Sequence, residues 1–224
     1  MTLKVASYNI HKAVGFDRLR RPDRILDVLN AIGADVAVLQ EADLRLGARP
    51  TALPRFLIAQ ETDYEIADLA ETDVSIGWHG NAVLVRKGLK VEAPARFDLP
   101  GLEPRGAVAV KVRGLTIVGT HLGLLRRWRK LQMAAILHRL GDRAERTLVV
   151  GDFNEWSANG GFEPWAGHLD VTAPGPSFPA IRPVARLDRF ASGARVKVVE
   201  SGIETRRPAH VASDHLPMWV TVRL

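Results

Sequence analysis

Cysteine is absent from the 224 residues, which excludes disulfides, thiolate-held metal sites and a cysteine nucleophile. Long apolar runs are missing too: none approaches the roughly 20 residues needed to span a bilayer. The opening residues, Met1 to Ala6, enter a strand pattern at once and leave no room for a signal peptide, so a cytoplasmic location is the default expectation. There is no internal repeat, low-complexity tract or linker, and the length suits one mixed α/β domain over residues 1–224. Acids are in the minority, 25 against 31 bases, giving a net charge of +6 that is carried mostly by arginine. That balance favours a polyanionic partner or substrate, nucleic acid or a phospholipid headgroup, although an arginine-rich proteome produces the same bias. No G-x-S-x-G elbow surrounds Ser213, and side chains two residues apart on an extended chain rarely meet, which disfavours Ser213 and His215 as a nucleophile pair.

What is present is a hydrophobic fraction of 46%, enough for a sizeable core. The stretch Thr147–Asn154 organises the rest: β-rich apolar residues run into Gly151, then Asp152 and Asn154 appear two positions apart. Alternation along a strand points both to one side and turns Phe153 to the core. Gly151 permits a turn or a close backbone approach where the strand ends. A plain strand followed by an Asp/Asn turn is the competing reading of this stretch alone.

Along the chain, Leu3–Ile10 reads as a strand with a polar tip. Pro22–Ile32 reads as a helix closed by Gly33, and Asp35–Gln40 as a short apolar strand. Strand, helix, strand at this spacing predicts a crossover that sets Asn9 and Glu41 near each other. Leu44–Pro54 reads as a loop, Leu53–Thr62 as a helix, Tyr64–Ala67 as a strand, and Leu69–His79 as a polar connection into the strand Ala82–Arg86. Val91–Pro104, with its prolines, suggests an edge segment with turns. Arg105–Val112 and Leu115–Thr120 flank the hairpin turn Arg113–Gly114. Arg126–Leu140 reads as a helix with Leu131, Ala134, Ala135, Leu137 and His138 toward the core and Gly141 closing it. Ser157–Pro183 is a long irregular span, and Leu187–Phe190, Arg195–Val199 and Met218–Val222 complete the strands.

Polar residues gather at the strand ends: Asn9, Glu41, Asn81, His121, Asp152, Asn154, Asp188 and the pair Asp214–His215. Taken singly, each admits a structural explanation, Asn9 as a turn cap, Glu41 as a surface acid, His121 as a satisfied buried histidine. Asp188 is harder to dismiss, since an acid in a packed strand needs a partner and a histidine is a natural one. Together they have the make-up of a metal-assisted phosphoryl-transfer site, with carboxylates for a hard ion, amides and a histidine for phosphate oxygens, and an acid–imidazole pair for protons.

The segments Ser7–Ile10, Leu39–Glu41, Gly80–Ala82, Thr120–Leu122, Gly151–Asn154, Leu187–Arg189 and Ser213–Pro217 occur in an order that resembles the endonuclease/exonuclease/phosphatase superfamily, over essentially the whole chain. The resemblance implies a four-layer α-β-β-α sandwich of two mixed β-sheets, of the deoxyribonuclease I-like kind, with the site at one edge. It implies that Glu41 is the principal ligand of Mg2+ (or Mn2+), with Asn9 beside it and Asp214 a further ligand, directly or through water. His215, oriented by Asp188, serves in that pattern as general base or charge stabiliser, and Asp152 binds or activates the attacking water. Asn154, His121 and Asn81 donate to the non-bridging oxygens as charge develops there. Which of Asp152 and His215 takes the water's proton stays open, because a coupled acid–imidazole set shares it among microstates.

The substrate is carried by loops. Thr120–Gly123 looks more like the deoxyribonuclease, sphingomyelinase and deadenylase branches than the abasic-site repair branch. Arg126–Lys130 is the densest basic run, readable as a phosphate-tracking surface with Trp128 for stacking or membrane-interface insertion, or as a solvated first helical turn. Trp78, Trp156 and Trp165 lie in loops near site residues, and Arg105 either contacts phosphate or pairs with Glu103. Three readings follow: a Mg2+-dependent phosphodiesterase or nuclease, the same chemistry on a phospholipid or small phosphorylated molecule, and a non-catalytic nucleic-acid or membrane-binding module. A monomer is expected in each.

Overall fold

The computed structural model describes residues 2–44, 47–158 and 160–224. Met1, Arg45 and Leu46 of the expected loop, and Asn159 of the expected irregular span lie outside the described residues. The first strand, β1 (Thr2–Asn9), runs parallel to β2 (Val36–Gln40) through the helix α1 (Pro22–Ile32), whose bounds match the sequence reading. Proline opens that helix with its φ preset, and Gly33 ends it at φ 59, its N–H donated to Leu29 O. The helix α2 (Arg55–Glu61) leads to β3 (Tyr64–Ile66), the two-residue β4 (Gly77–Trp78) and β5 (Asn81–Arg86).

A second sheet begins with β6 (Glu92–Leu99), followed by β7 (Arg105–Val112), β8 (Leu115–His121), the helix α3 (Arg126–Leu140) and β9 (Thr147–Asp152). β10 (Leu169–Thr172) and β11 (Asp188–Gly193) pair on its other side. The chain then returns to the first sheet with β12 (Lys197–Ile203), the short helix α4 (Ala209–Ala212) and β13 (Met218–Arg223). One sheet is ordered β12-β13-β1-β2-β5-β3, with β4 on β5, and the other β10-β11-β9-β8-β7-β6. Both are mixed, each built on one parallel pair joined across a helix, β1 with β2 and β8 with β9.

The sheets face each other across a core of Val5, Val38, Val83, Val108, Val110, Ile117, Val150 and Phe190. α1, α2 and α4 cover the outer face of the first sheet over Tyr8, Leu39 and Leu84, and α3 covers the second over Val118, Val149 and Phe153. The result is the expected α-β-β-α sandwich. Because both faces of the central strands are covered, they read as continuous apolar runs rather than alternating ones.

Three expectations change. Val91–Pro104 contains a full eight-residue edge strand, β6, with a bulge between Glu92 and Ala95 that accommodates Pro94. The span Ser157–Pro183 holds β10 and a turn of 3-10 helix at Glu163–Trp165. The core face of α3 is Met133, Ile136 and Leu140 with Arg129 and Gln132, while Leu131 is 51% exposed.

Candidate active site

Strand direction brings the polar tips to one edge. Asn9, Glu41, His121 and Asp152 sit at or just past the C-terminal ends of β1, β2, β8 and β9. Asn81, Arg105 and Asp188 open the antiparallel strands β5, β7 and β11, and His215 precedes β13. In the register, Asn9 lies opposite Gln40, His121 opposite Asp152, and Asp152 opposite Asp188. Gly151 makes the approach of β9 to β8 possible, the one that sets His121 opposite Asp152, since a Cβ there would meet Thr120 O at 1.8 Å.

Asp152 is the hub. Its Oδ2 accepts from Asn9 Nδ2 at 3.1 Å, and lies 3.4 Å from His121 Nε2 and 3.7 Å from His215 Nε2. Its Oδ1 accepts the Asn154 N–H at 2.9 Å, an Asx-type turn that holds Asn154 at φ 51. Behind the imidazole, His215 Nδ1 is 2.8 Å from Asp188 Oδ2, which also accepts from Ser177 Oγ at 2.5 Å. Asp188 Oδ1 is buried without a hydrogen-bond partner. Burial by itself disfavours the imidazolium, but Asp188, Asp152 and Asp214 outweigh it, and His215 is pushed up to about 10. The three carboxylates therefore favour the imidazolium form of the ring. Tyr8 lies beneath, fully buried with an unpartnered hydroxyl, and burial together with Asp214 and Asp188 drives its phenol far upward.

On the other flank, Glu41 stands at φ 53, an uncommon conformation for a residue with a side chain, and its carboxylate carries the Lys12 ammonium. His11, Lys12 and Ala13 also have positive φ, held by His11 N–H to Asn9 Oδ1 at 3.1 Å and Lys12 N–H to Glu41 O at 3.1 Å. Asp214 is a third exposed, with His11 Nδ1 at 3.9 Å. Among the described residues no group of three or more His, Cys, Asp or Glu converges as a metal cage. The donors are carboxylate and amide oxygens, and Glu41 is already aimed at a cation. That set fits a hard ion such as Mg2+, which needs one or two carboxylates and completes its shell with water and phosphate oxygen.

The remaining candidates sort by what their side chains touch. Asn154 donates to Leu122 O at 2.8 Å and His121 is 6% exposed, so both border the site from below. Asn81 is turned to backbone, its amide donating to Gly106 O at 3.1 Å, which ties β5 to β7 under the site. Arg105 does both things its position allows. It bonds Glu103 at 3.0 Å and lines a cavity of about 270 Å3 with Glu41, Asp43, Arg49, His79 and His121. Its Nε is buried without a partner. Trp128 is half-buried beside a second cleft, with Leu102, Leu124, Leu125 and Arg105.

The basic run differs from its sequence reading. Arg129 is buried and paired with Glu155 at 2.8 Å, while Arg126 and Lys130 face Glu163 at 2.6 and 3.7 Å. Of the tryptophans, Trp165 is entirely core, its Nε1 bonded to Met133 O, whereas Trp156 is 66% exposed. Ser213 is structural, donating to Asn9 O at 2.7 Å. Sequence reasoning missed Lys12, Ser177 and the Arg49–His79–Asp98 chain, with contacts of 2.6 and 3.1 Å. A lysine three residues beyond the polar strand tip Asn9 was the one available signal.

The profile of the Endonuclease/Exonuclease/phosphatase family matches residues 6–215. No curated protein matches the chain in sequence. Solved structures share its fold at low identity. The endonuclease/exonuclease/phosphatase from Beutenbergia cavernae is 22% identical, with TM-score 0.74 over 100% of this chain and 72% of that one. The mannosyl-6-phosphatase Bt3783 of Bacteroides thetaiotaomicron is 17% identical, with TM-score 0.77 over 99% of this chain and 100% of its own. TDP2 from D. rerio, solved with a single-strand DNA product, is 18% identical, with TM-score 0.70 over 100% and 99%.

Proposed function

The chain belongs to the Endonuclease/Exonuclease/phosphatase family, hydrolases of phosphate esters that generally depend on a divalent metal, and from that premise we propose that it is a Mg2+-dependent phosphodiesterase acting by in-line attack of water. The observation that carries the reading is the convergence of Asn9, His121 and His215 on Asp152 Oδ2, with Asp188 buried behind the imidazole. Residues 1–224 act as one domain in this reading, in a monomeric cytoplasmic enzyme.

Glu41 is the principal ligand, with Asn9 and Asp214 beside it, and Mn2+ is an acceptable substitute. When bound, the ion supplies Lewis-acid stabilisation of a phosphoryl oxygen. In this reading Asp152 holds the attacking water and takes its proton, since the carboxylates around His215 favour its protonated form. His215 instead donates to a phosphoryl oxygen as charge grows there, held in orientation by Asp188, with His121 and Asn154 as further donors. With a cation held at Glu41, Lys12 would be free of that carboxylate and would meet the same phosphate.

This chemistry leaves open what is esterified. The net charge of +6 favours a polyanion, and the D. rerio relative binds a DNA product. A phospholipid or small phosphorylated molecule is favoured by a specific observation: Arg129 of the densest basic run is buried against Glu155, and Arg126 and Lys130 share Glu163, so the run is no continuous cationic track for a polynucleotide. The Bacteroides mannosyl-6-phosphatase supports the small-molecule side of that choice. A chromogenic phosphodiester with Mg2+, then with EDTA, tests the reaction, and plasmid, single-stranded RNA and phospholipid vesicles run in parallel test the substrate. A metal-independent rate, or none on any ester, overturns the proposal.

A further inference from the structure

Large apolar side chains that stay exposed are not spread evenly over the molecule. Apart from the terminal Leu224 and the pair Val198 and Val199 at the start of β12, the edge opposite the site, with its turns at 33–35, 87–91, 113–114, 141–146 and 194–196, has none among the described residues. The loops around the site carry many. Leu19 is 55% exposed after β1, Leu124 65% after β8, Trp156 66% after β9, and Ile181 61% and Val184 71% before β11. Exposed aliphatic groups scattered singly need no explanation, but a ring of them around one edge does.

Arginine accompanies them. Exposed Arg18 and Arg20 flank Leu19, Arg126 and Arg127 follow Leu124 and Leu125, and Arg182 and Arg186 bracket Val184. Arg126 also bonds Glu163. The apolar wall continues inward: the Trp156 ring meets Phe178 at 6.1 Å, and Phe178 meets His215 at 4.8 Å.

We propose that this edge is an interfacial docking face that seats the protein on a lipid surface rich in anionic headgroups. Aliphatic side chains enter the boundary between headgroup and acyl chain, and the neighbouring guanidiniums meet the phosphates. A single-stranded nucleic acid calls for a run of aromatic platforms, because stacking is what its bases reward, whereas beside Trp156 and Phe16 the exposed groups of these loops are leucine, isoleucine and valine. A symmetric second copy would set arginine against arginine across the two-fold axis. Docking stands apart from catalysis, and only the consequence that headgroup phosphates reach Asp152 rests on the proposed hydrolase function.

The test is co-sedimentation of the whole chain, in EDTA, with vesicles of phosphatidylglycerol mixed into phosphatidylcholine and with phosphatidylcholine alone. Binding to the anionic vesicles, with a blue shift of tryptophan emission from Trp156, is expected. Leu124→Glu and Ile181→Glu, from separate loops, each lower vesicle affinity by at least about tenfold, the scale of one buried aliphatic side chain. Val198→Glu, an exposed apolar position on β12 away from the site, leaves it unchanged. Ile181→Glu keeps wild-type hydrolysis of a soluble diester. Absence of vesicle binding overturns the proposal, as does an equal loss with Val198→Glu. So do variants that instead lose polynucleotide binding or a concentration-dependent dimer. Vesicle binding by a protein that hydrolyses no soluble ester sinks the hydrolase reading and leaves the docking face standing.

Discussion

Asp152 Oδ2 is within 3.1 to 3.7 Å of an amide and two imidazoles, and every one of those groups can donate to it. With Asp188 and Asp214, its charge helps hold a proton on His215. The folded-state pKa of His215, about 10, lies above its ordinary 6.5. The stability this contributes is fully present below about pH 6.5 and is lost as pH rises through about 10. Urea unfolding in EDTA should therefore show wild-type stability falling between neutral pH and pH 10 more steeply than that of His215→Asn, and parallel curves would refute the assignment. His215→Ala should also cost at least about a hundredfold in rate, the usual scale of acid–base groups, while leaving substrate affinity close to wild type. Glu41→Gln should raise the Mg2+ concentration needed for half-maximal rate, and an unchanged titration would move the metal elsewhere. Asp188 was legible in the sequence because an acid inside Arg–Leu–Asp–Arg–Phe demands a buried partner. Ser177 was not, since a serine in an irregular span carries no periodicity to mark it, although it bonds Asp188 at 2.5 Å.

Elements were readable in extent more than in orientation. α1 and α3 begin and end where proline, glycine and apolar spacing put them. The inward face of α3 was misread because two polar side chains hold the His121 loop from it. Gln132 accepts from Gly123 N–H at 2.8 Å and donates to Pro100 O at 2.9 Å, and Arg129 donates to Leu124 O at 2.6 Å. Apolar periodicity cannot see a helix that turns an arginine and a glutamine inward. Thermal or urea unfolding should then separate two substitutions on this helix. Ile136→Ala should cost about 2–5 kcal/mol as a core truncation, and Leu131→Lys should stay within about 0.5 kcal/mol as a surface change. Equal effects would return α3 to the orientation its hydropathy suggests. Pairing order in the sheets was equally hidden, because short strands buried on both faces carry no sign of their neighbours.

At the scale of the molecule, the candidate site exists only where two sheets meet. Asn9 and Glu41 belong to one and His121, Asp152 and Asp188 to the other, while His215 comes from the loop before β13. The sheets share the valine-rich layer between them, and Gly119 lets them close: a Cβ there would meet Val38 Cγ1 at 2.3 Å. Neither half can bury its inner face alone, so the chain should unfold as one unit. Trp165 is buried with α3 over the second sheet, and Trp219 packs on the outer face of the first, which gives each half its own reporter. In single-reporter variants made by replacing the other tryptophans with phenylalanine, the urea midpoint read at Trp165 should equal that at Trp219 and that of the far-ultraviolet dichroism. Two midpoints would mean that each sheet and its helices fold independently. The site between them would then be assembled by docking, and substrate or metal would stabilise the docked state rather than either half.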